Sequence, residues 1–433
     1  MSRALAALLA VAVATSASTA SALTLEEAVR LALERNERSQ AAGETARAAG
    51  ARVSRARSFL LPDLTVTGDW TRRSQETTRT VDGETSVLNS RDGLEGRVTL
   101  RQTIFDARAW PLLTQAKRSR DAADLDAVEV RRQLAYETSE VYLAVLTADQ
   151  VARAASERLD LAQRNEREVR IRFDTELVSS NDVSRAELES ATAQRELVLA
   201  EGDARVARLS LGELLDLDIV DTLAVPEALL RRAAEPPALL ESLVTEAAGR
   251  RPDIQAERAR LAALDASAGE PLMRYVPQLD FSATAWTTNE SGFSGRDQDW
   301  TLGMGLTWPL FDGGDREATR SERLALARAA ALNLRNRERA VATDVAATRV
   351  QLESRQASLT QAEVAVRAAR RNATEAGELY RRGLIRALEA VDANVQLFEA
   401  EVERAGAEFA LALAWLDLRA ALGLEPLDEM VTQ

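Results

Sequence analysis

Several residue types are absent or scarce in this 433-residue chain, and each absence excludes a class of chemistry. There is no cysteine, which excludes disulfides, thiolate metal sites, cysteine nucleophiles and a lipid-carrying cysteine. There is no histidine either, so the commonest general base and zinc ligand are missing and a Ser-His-Asp triad cannot form. The sequence also contains no phosphate-binding glycine loop and no calcium-loop spacing. It therefore predicts no enzymatic activity, no cofactor and no metal site.

The charge balance and the scarcity of aromatic residues narrow the class further. The chain has 68 acidic and 55 basic residues, a formal net charge of −13, and Lys117 is its only lysine. Because a surface of this sign repels nucleic acid, we do not expect nucleic acid as a partner. Only 4% of the residues are aromatic and 28% are charged, a composition that suits long solvated helices better than one compact core.

The first 22 residues have the features of a cleaved export signal. Arg3 supplies the positive charge, residues 4–14 form an apolar run, and Ala20-Ser21-Ala22 is a small-residue cleavage site. The run is too short to span a bilayer, and no later segment of the sequence has 18 consecutive apolar residues. We therefore expect the mature chain either to stay in solution outside the cytoplasm or to cross a membrane as a β-barrel.

The rest of the chain contains an internal duplication. The segments 61–64 and 276–279 correspond to each other, and residues 104–106 recur as residues 310–312, an offset of 206. Three prolines interrupt the helical pattern between the two halves. The predicted organisation is a signal peptide at 1–22, a first structural repeat at 23–217, a linker at 218–240, a second structural repeat at 241–423 and a C-terminal tail at 424–433.

Each repeat ends in a long helical pattern with a break near its middle. The patterns cover about residues 110–216 and 315–422, and each is too long for one helix of a small domain. The first breaks at Ser179-Ser180-Asn181-Asp182, and the second breaks at residues 380–383, where Gly383 can adopt a left-handed conformation. Each pattern therefore predicts an antiparallel helical hairpin whose turn forms a tip.

Four short segments alternate between apolar and polar residues with the period of a β-strand. They lie near residues 64–70, 97–104, 279–286 and 300–308, and they have the length of tilted transmembrane strands. Four tryptophans lie in or beside these segments and are predicted to form a girdle at the membrane interface: Trp70, Trp286, Trp300 and Trp308. The alternative is a small soluble sheet buried on one face, which would need other β material to cover it.

The last helix carries two apolar seams with heptad spacing. One seam contains Leu388, Val391, Val395, Phe398, Val402, Ala405, Phe409, Ala412 and Leu416. The other contains Ala390, Ala393, Leu397, Ala400, Arg404, Ala407, Leu411, Ala414 and Leu418. The seams point roughly 155° apart, which predicts a neighbour on each flank and a ring of roughly 12 to 14 helices. Three chains of four helices and four strands would close such a ring together with a 12-stranded barrel. The alternative is a conventional buried helix with a broad apolar face.

The narrow side between the two seams is acidic and would face the inside of the ring. Glu389, Asp392, Glu399 and Glu403 lie on it, and no basic residue does. Threefold repetition would turn Glu389 and Asp392 into acidic rings at the pore entrance, which attract cations and repel anions. The alternative is an ordinary solvated helix face.

In the order in which they occur, these features resemble outer-membrane efflux proteins of the TolC family. The resemblance covers essentially the whole mature chain and includes Pro309-Leu310-Phe311-Asp312-Gly313-Gly314, Arg251-Pro252-Asp253-Ile254, and Tyr380-x-x-Gly383 followed by Asp392-Ala393. It implies a mostly α fold in which long antiparallel helical hairpins form an α-barrel and four strands per chain contribute to a trimeric transmembrane β-barrel. It also implies a passive exit duct in the outer membrane of a Gram-negative bacterium, within a tripartite efflux pump or a type I secretion system.

The resemblance implies partners and site residues as well. The implied partners are further copies of the chain, outer-membrane lipid, a periplasmic adaptor (membrane fusion) protein, and an inner-membrane pump or ABC transporter. Glu389 and Asp392 are implied to line the closed entrance, and Asp182 is implied to join Tyr380 in the links that hold it shut. The implied tip also includes Ser179, Ser180, Gly383 and Arg386.

The chain departs from the family pattern at three positions and leaves one alternative open. Glu176 stands where a glycine is usual, Thr103 where a proline is usual, and Ile385 where an arginine is expected. The alternative is a soluble periplasmic coiled-coil adaptor or scaffold, which would have no use for lipid-facing tryptophans.

Overall fold

The computed structural model describes residues 22–81, 84–220, 222–237, 240–290 and 296–427. Apart from its last residue, the predicted signal peptide lies outside these ranges, as does most of the predicted C-terminal tail. Within them the chain is mostly helical, as the sequence predicts, and it contains a four-stranded and a two-stranded sheet.

The first half of the chain runs through two helices, four strands and a helical hairpin. Its elements are α1 (Leu25–Arg35), α2 (Glu37–Ser58), β1 (Asp63–Arg72), β2 (Thr77–Val81), β3 (Glu84–Asn89), β4 (Asp92–Phe105), α3 (Ala109–Asp174) and α4 (Ser180–Leu215). Helix α3 has 66 residues and is therefore about 100 Å long. The β2–β3 hairpin lies between the first two predicted strands, where the sequence pattern predicts no strand.

The second half repeats this order after two short helices. Its elements are α5 (Glu227–Ala233), α6 (Leu240–Arg250), α7 (Pro252–Met273), β5 (Gln278–Thr288), β6 (Gln298–Thr307), α8 (Asp315–Arg381) and α9 (Ala387–Ala421). Helices α7, α8 and α9 repeat α2, α3 and α4, and strands β5 and β6 repeat β1 and β4. None of the helices in the described part of the chain combines the length and the apolar content needed to cross a membrane.

The four long strands form one antiparallel sheet in the order β1-β4-β5-β6. Val66 pairs with Val98, Val98 with Ala285, and Ala285 with Trp300. Paired residues share a face and neighbours in sequence point to opposite faces, so these four residues lie on one side of the sheet. That side carries the apolar residues predicted from the alternation, and most of its large side chains are exposed in the single chain.

The helices form a layer in which α9 has a neighbour on each flank, as its two seams predict. Phe409, Ala412 and Leu416 of the first seam pack into a cluster with residues of α1, α3 and α4. Leu411 and Leu418 of the second seam pack into a different cluster, which contains residues of α6, α7 and α8. The two-seam prediction is confirmed, and the helix order across this layer is α4-α3-α9-α8.

Candidate channel surfaces and tip

The first tip joins α3 to α4 through a strained turn and a reciprocal cap. Glu176 has a φ of 59°, a left-handed conformation that favours glycine, which is the residue usual at this position in the resembled family. At the start of α4, the Asp182 backbone N–H donates to Ser179 Oγ at 3.3 Å. The Ser179 backbone N–H and hydroxyl donate to Asp182 Oδ2 at 3.0 and 2.7 Å. These hydrogen bonds from Ser179 lower the pKa of the Asp182 carboxyl.

The second tip ends α8 with a Schellman-type turn. Gly383 has a φ of 74°, the Gly383 N–H donates to the Tyr380 carbonyl, and the Leu384 N–H donates to the Leu379 carbonyl, both at 2.9 Å. Arg386 occupies the N-cap position of α9 and is exposed, as is Ser180 at the start of α4. The residues predicted for the tip therefore do lie at the two hairpin turns.

Tyr380 joins the two hairpins through its ring. The side chain is 8% exposed and packs in a cluster with Val169 of α3, Ala186 of α4 and Ala390 of α9. The Arg172 guanidinium lies 4.8 Å from the ring centroid and pairs with Glu168. Burial raises the pKa of Tyr380, and the positive charge of Arg172 offsets part of that rise.

The Tyr380 hydroxyl makes no hydrogen bond to any residue that the structure describes. The resemblance implied that Asp182 and Tyr380 act together in closing the entrance. In this conformation the Asp182 carboxylate accepts its hydrogen bonds from Ser179, and no hydrogen bond joins it to the Tyr380 hydroxyl. Here the contact between the hairpins is apolar and cation–π in character, and Ile385 packs beside it in place of the expected arginine.

Arg158 is a second link between the hairpins, which the sequence analysis did not identify. Its guanidinium donates to Glu189 of α4 at 2.8 Å, pairs with Glu196 of α4, and lies 5.0 Å from the centroid of the Phe398 ring of α9. The Arg158 side chain is only 9% exposed. The available signal was the position of Phe398 in the first seam of α9, which faces α3.

The acidic side of α9 is open in the single chain. Glu389, Asp392, Glu399 and Glu403 are all exposed, whereas Ala390, Ala393 and Ala400 of the neighbouring seam are buried. The exposed acids therefore share one face, as the heptad count predicts. In the part of the chain that the structure describes, no group of three acidic side chains converges closely enough to hold a metal ion.

The tryptophans predicted for the girdle do not all lie on one face. Trp70 and Trp300 lie on the apolar side of the sheet with exposures of 61% and 68%, and Trp308, just after β6, is also exposed. Trp286 pairs with Arg97 on one side and Asp299 on the other, so it lies on the opposite, polar side. The register therefore contradicts the girdle assignment of Trp286. The sequence already indicated this, because the apolar residues of β5 (Leu279, Phe281, Ala283 and Ala285) occupy odd positions and Trp286 occupies an even one.

A family model described as "Outer membrane efflux protein" matches residues 28–216 and 243–424. The chain belongs to the outer membrane efflux protein family. It is 24% identical over 395 residues to outer membrane protein TolC of Salmonella enteritidis, covering 87% of this chain and 77% of that protein. It is 26% identical over 293 residues to cobalt-zinc-cadmium resistance protein CzcC of Cupriavidus metallidurans, covering 67% of this chain and 64% of that protein. Its fold is similar to that of outer membrane protein VceC from Vibrio cholerae, with a TM-score of 0.75 and 17% identity over 92% of this chain and 96% of that chain.

Membership of the outer membrane efflux protein family confirms the fold class, the location and the broad function predicted from the sequence. The protein is an outer membrane efflux channel with a large periplasmic portion. The alternative of a soluble periplasmic adaptor or scaffold is not supported.

The efflux-protein motifs hold elements together at the ends of helices. Asp106 accepts hydrogen bonds from the Arg108 backbone N–H at 2.9 Å and side chain, and Arg108 also donates to Gln278 of β5 at 3.0 Å. Arg251 pairs with Asp253 at 2.9 Å, and a Cβ on Gly423 would lie 2.9 Å from the Arg251 backbone. The motifs that support the resemblance therefore serve mainly to join strand to helix and α7 to the end of α9.

Proposed function

We propose that three copies of this efflux protein close into a continuous tube, which is the passive exit duct of a tripartite efflux pump or type I secretion system. The observation that carries the proposal is that the sheet and the helical layer leave matching edges open in the same order. In both layers one edge belongs to the first repeat and the other edge to the second repeat. The partner that such a chain needs is therefore a further copy of itself.

The sheet has edge strands that require a partner. In the four-stranded sheet, β1 is paired only with β4 and β6 only with β5 among the described strands. An open edge cannot remain in lipid, because its backbone groups would have no hydrogen-bond partner. All pairings are antiparallel, so β6 of one copy can pair with β1 of the next in the same antiparallel sense. Three copies supply 12 strands, which is within the range of known barrels.

The helical layer has corresponding edges. Of the four long helices in the described part of the chain, α4 packs along α3 and α8 packs along α9, while the shorter helices α6 and α7 also contact α8. Leu199 and Leu209 are exposed on α4, and Val364 and Val350 are exposed on α8. Measured from the tip end of α4, Leu199 and Leu209 lie about 28 and 44 Å away. Measured from the tip end of α8, Val364 and Val350 lie about 26 and 46 Å away. The exposed apolar residues of the two edges therefore fall at matching heights, as a contact between successive copies requires.

The closed tube accounts for the remaining surfaces. The acidic face with Glu389, Asp392, Glu399 and Glu403 would line the passage and favour cations, while the apolar sheet face with Trp70, Trp300 and Trp308 would contact outer-membrane lipid. The exposed tips would meet a periplasmic adaptor protein, which connects the duct to an inner-membrane pump or ABC transporter.

Cysteine cross-linking tests the proposal without background, because the chain contains no cysteine. The pair Leu199→Cys with Val364→Cys should form disulfides between copies and give bands of two and three chains, with nothing larger. The control pair Leu199→Cys with Leu326→Cys should not cross-link, because Leu326 lies more than about 50 Å further from the tip. Equal cross-linking by both pairs, or a ladder that extends beyond three chains, would contradict a closed ring of three.

A further inference from the structure

Trp286 is an exception on the polar side of the sheet. Between Asp63 and Thr103 of the first repeat, and along β5 and β6, the other paired positions on that side hold hydroxyl, amide, glycine or charged residues. Trp286 pairs with Arg97 of β4 and Asp299 of β6, and Arg97 pairs in turn with Thr67 of β1. The indole therefore projects from the polar face, where neither lipid nor the apolar core explains it.

The position of Trp286 places it inside the barrel near its outer end. It is two residues from the end of β5 that lies away from the helices, and the polar face lines the passage in the closed ring. With strands about 4.8 Å apart and tilted by about 40°, a barrel of twelve strands measures about 24 Å across between backbones. Three indoles can line a passage of that width without closing it, so they form a contact surface rather than a plug.

The charges around Trp286 indicate the kind of molecule that would contact it. On the polar face, Asp69 pairs with Glu95 at the level just above Trp286, and Asp299 lies beside it. Arg97 is bound to Glu95, and Arg296 is 3.1 Å from Asp299, so three carboxylates face two guanidinium groups. An aromatic face also attracts cations, and tryptophan does so most strongly. The combination of an indole and a net negative rim favours a positively charged molecule with an apolar body.

We propose that Trp286, in three copies, forms a contact site for apolar organic cations inside the outer part of the barrel. This inference rests on the proposed function, because the polar sheet face encloses a passage only in the closed ring. It adds a site for cargo above the acidic entrance, at the opposite end of the duct.

Block of single channels in planar bilayers tests the site. Tetraphenylphosphonium, added on the side of the membrane that lies away from the helices, should block the wild-type current. Its isosteric anion tetraphenylborate should not. Trp286→Ala should raise the blocking concentration of the cation at least about three-fold, and Trp286→Phe should retain most of the block. Channels of the control variant Thr301→Ala, which alters the same face without removing an aromatic ring, should be blocked at the same cation concentration as wild-type channels.

The outcomes separate this inference from the proposed function. If wild-type channels conduct but the block is unchanged in Trp286→Ala, or if the anion blocks as strongly as the cation, the Trp286 site is overturned while the duct stands. If the wild type forms no channel at all, the closed tube itself fails. A Trp286→Cys variant that a water-soluble thiol reagent cannot label through an open channel would also overturn the site, because it would place residue 286 in lipid.

Discussion

The tip of the helical hairpins offers a sharp test, because Tyr380 carries a buried hydroxyl without a hydrogen-bond partner among the described residues. Removing that hydroxyl in Tyr380→Phe keeps the ring against Val169, Ala186 and Ala390 and keeps the cation–π contact with Arg172. A buried polar group without a partner costs about 1–3 kcal/mol. We therefore expect Tyr380→Phe to leave the tip equally stable or to stabilise it by about 1 kcal/mol.

Truncating the whole ring should have the opposite effect. Tyr380→Ala removes the buried aromatic side chain at the point where all four long helices meet, and such a change costs about 3–5 kcal/mol in a well-packed site. The loss of the contact with Arg172 adds about 1 kcal/mol. The hairpins should then separate at the tip and the entrance should widen.

Two measurements distinguish these variants. Amide hydrogen exchange over residues 376–392 should be slow in Tyr380→Phe and much faster in Tyr380→Ala, because local opening determines the exchange. Single-channel conductance should match the wild type in the first variant and rise in the second. If Tyr380→Phe exchanges or conducts like Tyr380→Ala, the hydroxyl has a partner in the closed channel and our description of the tip is wrong.

Three further predictions follow from the tips. Glu176→Gly should stabilise the protein by about 0.5 kcal/mol in chemical denaturation, because glycine relieves the left-handed φ of 59° but also increases the conformational entropy of the unfolded chain. The control Glu375→Gly, within α8, should destabilise it by about 1 kcal/mol. Destabilisation by both variants would refute the strain at Glu176. The double variant Glu389→Ala/Asp392→Ala should raise the concentration of a trivalent cation that is needed to block the channel about ten-fold. The control Glu375→Ala should leave that concentration unchanged. An unchanged blocking concentration in the double variant would place the acidic ring elsewhere. Hydrogen bonds from Ser179 lower the pKa of Asp182, so their stabilisation of the folded chain is present above the ordinary pKa of about 4 and is lost as the pH falls through the lowered value. Ser179→Ala should therefore reduce the free energy of unfolding by about 1 kcal/mol near neutral pH, and it should lose less stability in acid than the wild type does. Identical profiles of stability against pH in the two proteins would argue against the cap.

The helical architecture could be predicted because it depends on periodicity. The seams of α9 repeat over eight turns, and a strict heptad spacing leaves little freedom in where the neighbours lie. The tip residues could be located for a similar reason, since Gly383 and the Ser179 cap are local signals. The packing of Tyr380 against Val169, Ala186 and Ala390 depends instead on tertiary contacts, which spacing within one helix does not show.

The sheet shows where pattern reading failed. Trp286 was assigned to the girdle by its type, although its parity differs from that of Leu279, Phe281 and Ala285, and parity determines the face. The β2–β3 hairpin was missed because its residues are polar, although Asp82-Gly83 in the sequence is a strong signal for a two-residue turn. Of the Arg158 link, only the seam position of Phe398 can be read from the sequence, because Glu189, Glu196 and Phe398 come together only through helix packing.

The mass of the intact particle tests the account most directly. Among the strands and long helices that the structure describes, β1 and α4 form one edge of their layers and β6 and α8 form the other, and a tube forms only if successive copies join these edges. Native mass spectrometry of the detergent-extracted protein should give a particle of three chains, and electron microscopy of the same sample should show a central passage. A single chain, or a particle of two, would contradict the account.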